Sequence, residues 1–127
     1  MIKLYTDAAV NKNFKTSSAG IIIIKNKQQY QFKFKLNTLD NHLAEFEAAI
    51  LGFKTLINNF DTNNEIIMFF TDSKIIKDSL NKQYAKHYQP QVDELIKLNR
   101  SFNTVITNWI PEKLNQGAHN LAIQGLK

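Results

Sequence analysis

Cysteine is absent from the sequence, which excludes a disulfide scaffold, a zinc–thiolate centre and a cysteine nucleophile. No run approaches the roughly 20 apolar residues of a membrane span. The N-terminal stretch Met1-Ile2-Lys3-Leu4-Tyr5-Thr6-Asp7 has no apolar core of the kind a secretory signal needs, so the expectation is a cytoplasmic protein with no membrane partner. Internal repeats, low-complexity tracts and linkers are also missing. Arginine is nearly so: Arg100 is the sole arginine among 16 basic residues. What is present suits one compact domain over residues 1–127. Hydrophobic residues make up 43% and charged residues 21% of the chain, with both signs mixed along it. That balance supports a core and argues against disorder. The net charge of +5 points mildly to a polyanionic partner, although a lysine-rich, asparagine-rich bias is also what an AT-rich coding sequence produces.

Apolar periodicity divides the chain into segments. Ile2 to Thr6 alternates as a strand, and Val10 to Ser18 is polar and loop-like. Ala19-Gly20-Ile21-Ile22-Ile23-Ile24 is apolar on both faces, as a central strand is. Lys25-Asn26-Lys27 is a tight turn into a half-buried strand carrying Tyr30, Phe32, Phe34 and Leu36, which makes an antiparallel hairpin. Asp40 or Asn41 caps a helix to about Asn58, with Leu43, Phe46, Ala49, Ile50, Phe53 and Ile57 on one stripe. A strand over Glu65 to Thr71 is followed by a short helix to about Asn81. Pro90 opens another helix to about Leu98. A last strand runs from Thr104 to Ile110, and a final helix from Gln116 to Leu126. The order βββαβααβα predicts an α/β fold. Three antiparallel strands and then parallel ones form a five-stranded mixed sheet flanked by helices.

Three acids stand where open sheets place chemistry. Asp7 follows Thr6 at the end of the first strand. Asp72 follows Thr71 at the end of the fourth. Glu45 lies in the first turns of the long helix, in Ala44-Glu45-Phe46-Glu47-Ala48-Ala49-Ile50. Neighbouring first and fourth strands would set Asp7 beside Asp72, and a helix packed across them would drop Glu45 between. Three close carboxylates repel one another, and a hard divalent cation with oxygen ligands relieves the repulsion. Two such ions about 4 Å apart suit in-line displacement at a phosphodiester.

These motifs resemble the type-1 ribonuclease H family. The matching residues are Thr6-Asp7, Glu45 with Ala48-Ala49-Ile50, Thr71-Asp72-Ser73, and the Trp109-Ile110 strand followed by Asn115 and Leu121-Ala122. They cover almost the whole chain. The resemblance implies the ribonuclease H-like fold and two-metal hydrolysis, by Mg²⁺ or Mn²⁺, of the RNA strand of an RNA·DNA hybrid. It also implies that Asp7 bridges both ions while Glu45 and Asp72 complete the site. No organic cofactor is expected, and the expected state is a monomer, with a dimer as the alternative.

The chain departs from the pattern at one ligand. The family places a fourth carboxylate two residues before the Leu-Ala of the last helix, and here that position is His119. Imidazole suits Mn²⁺ better than Mg²⁺, so His119 is taken as the fourth metal and catalytic residue. The segment Ile110-Pro111-Glu112-Lys113-Leu114 carries no loop histidine, and the basic helical protrusion of some family members is absent or reduced. Asn13 and Asn41 match family positions that reach the nucleic-acid backbone, and an amide suits a 2′-hydroxyl because it donates and accepts. His42 and Lys74 lie on the same rim. Glu47 and His87 are read as surface residues, and Trp109 as core. The leading expectation is a ribonuclease H. The alternatives are a weakly active or non-catalytic hybrid-binding module, because of His119, and a purely structural interaction domain.

Overall fold

The computed structural model describes residues 1–127. Strands β1 (Ile2–Asn11), β2 (Thr16–Lys25) and β3 (Gln28–Leu36) precede helix α1 (Asn41–Asn59). Then follow β4 (Ile66–Thr71), α2 (Lys74–Lys82), α3 (Gln89–Asn99), β5 (Thr104–Trp109), a 3₁₀ turn (Glu112–Leu114) and α4 (Gln116–Gly125). One sheet runs β3-β2-β1-β4-β5. The first three strands are antiparallel, and β4 and β5 join parallel to β1. This is the mixed sheet the segment order predicts.

The strand bounds differ in one informative place. β1 does not stop at Thr6 but pairs with β2 through Asn11, and β2 begins at Thr16 rather than at Ala19. Only residues 12–15 remain for the turn. The segment reads as a loop because it is rich in Asn, Lys and Ser. Backbone pairing and burial override that composition: Ser17 and Ser18 are buried, and Ser18 Oγ donates to Phe34 O at 3.1 Å. At the other end of β2, Asn26 and Lys27 both take left-handed φ values of 54° and 66°. That is the two-residue hairpin turn expected there.

Two glycines set how closely helices approach the sheet. A Cβ on Gly52 of α1 would fall 2.7 Å from Thr6 Cγ2, so α1 lies against the face carrying Leu4 and Thr6. A Cβ on Gly20 would fall 2.1 Å from Ala118 O and 2.6 Å from Ala122 N. Gly20 pairs with Asp7, and successive strand residues face opposite ways, so α4 covers the other face, the one carrying Asp7. The core lies beneath α1, where Phe46, Phe53 and Leu56 meet Ile2, Leu4, Ile21, Ile23, Ile67 and Phe69. The buried side of α1 is rotated from the predicted stripe. Ala44, Ala48, Gly52 and Thr55 are buried, whereas Ile57 is 42% exposed. Small residues win the contact because α1 is pressed on one side by the sheet and on another by α3.

Candidate active site

Parallel pairing of β1 with β4 covers only Ile2 to Tyr5. Past Tyr5 the two strands part, while β1 continues against β2 alone. Asp7 and Asp72 therefore flank an opening at the carboxyl ends of the parallel pair, the place where such sheets bind ligands. Asn115, at the start of α4, fills the gap. Its side chain is 1% exposed. It donates through Nδ2 to Thr6 O at 3.0 Å and to Asp72 Oδ2 at 3.4 Å. An Asn at a helix start commonly caps the helix, but this one makes no cap bond. It binds across to β1 and to Asp72 instead.

The titration of the acids reflects this setting. Burial, and then the charge of Asp72, push the Asp7 carboxyl up to about 6, against the opposing pull of the Ala8 N–H and His119. Ala8 N donates to Asp7 Oδ1 at 2.9 Å. Burial raises Glu45 as well, opposed by the Ser73 hydroxyl and His42, and Asp72 adds to the rise. Asp72 is raised by burial, lowered by the Asn115 amide and raised again by the charge of Glu112. The charge of Asp72 thus reaches both of the other carboxylates.

His119 neither caps α4 nor faces open water. Its Nδ1 lies 3.1 Å from Asp7 Oδ2, so the imidazole is engaged with the carboxylate beside it. Asp7 is 8% exposed. No group of three His, Asp or Glu side chains closes to distances at which one ion could be shared, so the predicted four-residue centre is not preassembled. The donor chemistry fits a divalent cation all the same. Asp7, Glu45 and Asp72 are oxygen ligands, each resists ionising where it stands, and a cation is what favours their charged forms. Asn115 Oδ1 is also buried with no hydrogen-bond partner, an unmet acceptor at the same place.

The rim residues fall into two groups. His42 Nδ1 is 3.7 Å from Glu45 Oε2, so His42 belongs beside the carboxylates. Asp40 caps α1 by accepting from His42 N and Leu43 N, and accepts the Tyr88 hydroxyl at 2.9 Å, tying the helix start to α3. Lys74 directly follows the Ser73 cap of α2, and its Nζ sits 5.1 Å above the Trp109 ring. Asn41 is the exposed first residue of α1, and Asn13 stands apart on the β1–β2 turn. Trp109 corrects the reading as core: it is 41% exposed, and its Nε1 donates to Asp72 O at 3.0 Å. Its place at the end of the strand beside Asp72 was the available signal. Asn115, named above only as part of the family pattern, and Glu112, which no pattern announced, both act on Asp72. Glu47 is half-buried rather than a plain surface acid, and His87 is exposed as expected.

Comparison with known proteins agrees with this fold. Residues 5–125 match the reverse transcriptase-like family. The chain belongs to that family. EbsB of Enterococcus faecalis, named a candidate hydrolase, is 35% identical over an alignment of 129 residues, which takes in 100% of this chain and 95% of EbsB. Ribonuclease H of Trichodesmium erythraeum is 31% identical over 104 residues, 80% of this chain and 62% of that protein. Among solved structures, ribonuclease H1 of Halobacterium salinarum superposes with a TM-score of 0.86 at 18% identity, covering 98% of this chain and 96% of the other. A ribonuclease H1 called LC11, in complex with an RNA/DNA hybrid, superposes with a TM-score of 0.82 at 17% identity, covering 99% and 96%. Family and fold are those of ribonuclease H-type nucleases. No helix of the chain is long and apolar enough to cross a membrane.

Proposed function

We propose that this protein of the reverse transcriptase-like family is a ribonuclease H that hydrolyses the RNA strand of RNA·DNA hybrids, with two Mg²⁺ or Mn²⁺ ions held by Asp7, Glu45 and Asp72. The observation that carries the reading is the placement of these acids. Asp7 and Asp72 flank the point where β1 and β4 part, with Glu45 in electrostatic reach of Asp72, and all three carboxyl groups titrate high. When bound, the ions would supply a Lewis acid at the phosphodiester and an activated water. The protein's own contribution is positional. Asn115 holds Asp72 and opposes the rise that burial imposes on its carboxyl. His119 engages Asp7 and stands where a fourth ligand would act. His42 stays near Glu45. Asn13, Asn41 and Lys74 would meet the nucleic-acid backbone, the amides at 2′-hydroxyls and the lysine at phosphate.

A second reading, a weakly active or non-catalytic hybrid-binding module, is favoured by one observation. The position of the fourth carboxylate carries an imidazole that pairs with Asp7. One experiment separates the two. A labelled RNA·DNA hybrid is incubated with the protein in Mg²⁺ and, separately, in Mn²⁺, with duplex RNA, duplex DNA and single strands as controls. Cleavage confined to the RNA of the hybrid, and lost in Asp72→Asn, supports the enzyme. Hybrid binding without cleavage in either metal supports the module. Neither binding nor cleavage refutes both.

A further inference from the structure

Nine phenylalanines occur in the chain, and eight of them are buried or half-buried. Phe14 alone is in solvent, at 79% exposure. It is also at an unusual place for an aromatic, the tip of the β1–β2 hairpin, where Gly, Asn, Asp and Ser are the common residues. The tip is not loose. Asn11 Oδ1 accepts the N–H groups of Asn13 and Phe14 at 3.1 and 3.2 Å, and Lys15 turns the chain back with φ of 53°. An apolar ring is thus presented on a built turn, and no neighbour in the fold covers it.

Charge identifies what it meets. Phe14 stands between Lys12 and Lys15. From Ala8 to Leu39 there is no acidic residue, while Lys12, Lys15, Lys25, Lys27, Lys33 and Lys35 all fall in that span. The tip also belongs to the strand that bears Asp7. Asn11 lies four residues beyond Asp7, on the part of β1 that projects past the end of its pairing with β4. At about 3.3 Å per residue that is about 13 Å.

We propose that Phe14 extends the contact given above to Asn13 on the same turn, packing as an apolar wedge into the shallow minor groove of the hybrid, with Lys12 and Lys15 on its phosphates. Apolar side chains are used in this way against minor grooves elsewhere, and the wide, shallow groove of an A-like duplex admits a ring. This inference rests on the ribonuclease H reading for its substrate. It adds an apolar grip on the duplex, beside the Asn13 amide and away from the carboxylates.

The test is equilibrium binding of a fluorescein-labelled RNA·DNA hybrid of about 18 base pairs, in EDTA, across a salt series, so that binding is read without turnover. Phe14→Ser is expected to bind about tenfold more weakly at every salt concentration, with the salt slope unchanged and the melting temperature of the parent. Phe14→Trp should keep the parent affinity. Lys12→Gln combined with Lys15→Gln should reduce the log–log salt slope by about two, as the loss of two phosphate contacts requires. Parent-like affinity in Phe14→Ser would overturn the wedge. If the parent cleaves the hybrid in that case, the ribonuclease H reading stands and only the tip contact fails. A parent that neither binds nor cleaves the hybrid would overturn both.

Discussion

Replacing Asp7 with Asn removes a charge that the fold holds at a cost. The Asp7 carboxyl titrates at about 6 in the folded protein, against an ordinary 3.8. Between those pH values the folded protein binds the proton more tightly than the unfolded chain does. The stability of the parent therefore falls as pH rises from 3.8 to about 6, and is level above that. The difference corresponds to about 3 kcal/mol at pH 7. Asn keeps an oxygen for the Ala8 N–H but changes the contact with His119, so a net gain of about 2 kcal/mol is expected for Asp7→Asn at pH 7. For a chain of this length that is a rise in melting temperature of roughly 6–10 °C. Below pH 3.8 the side chain is neutral in both states of the parent, and the gain should vanish. Thermal unfolding followed by circular dichroism in EDTA, at intervals from pH 3.5 to 8, reads the whole curve. Added Mn²⁺ should narrow the gap at pH 7 by stabilising the parent alone, and the variant should not cleave. A variant that is no more stable than the parent at pH 7, or equally more stable at pH 3.5, would refute the argument that burial and the charge of Asp72 strain this carboxylate.

Three further outcomes are expected. Gly20→Ala places a methyl group against the α4 backbone at Ala118 and Ala122, where nothing flexible can yield. It should cost about 1–3 kcal/mol in chemical denaturation and reduce cleavage, because α4 carries Asn115 and His119. Asn115→Ala removes the amide that favours the charged form of Asp72, so the acidic limb of the pH–activity profile should move to higher pH. The freed Thr6 carbonyl should add a stability loss of about 1–3 kcal/mol, and an unmoved pH limb would assign Asn115 a structural role only. His119→Asp should raise Mg²⁺-dependent turnover, and His119→Ala should lower turnover mainly in Mn²⁺, since nitrogen suits the softer ion; identical rates of both variants and the parent in both metals would make His119 a bystander.

Much of this molecule is legible one segment at a time. Alternation in Tyr30–Leu36 marks a half-buried strand, Asp40 and Ser73 announce the helices they cap, and Asn26–Lys27 announces its hairpin. The acids Asp7, Glu45 and Asp72 are legible too, because each sits in a recognisable local pattern. These are properties of short stretches, and short stretches obey local rules of periodicity, capping and turn geometry.

What tertiary structure alone decided concerns pairs of distant segments. The continuation of β1 through Asn11 depends on β2 lying beside it, and no alternation within Ala8–Asn11 states that. The buried arc of α1 turns toward Gly52 and the alanines because a sheet and α3 press it from different sides. Trp109 is drawn out of the core to bond Asp72 O. Asn115 reads locally as a helix cap, yet gives its amide to Thr6 and Asp72, more than 40 residues away in either case. A side chain's partner depends on which surfaces are brought within about 3 Å of it, and only the assembled sheet and helices determine that.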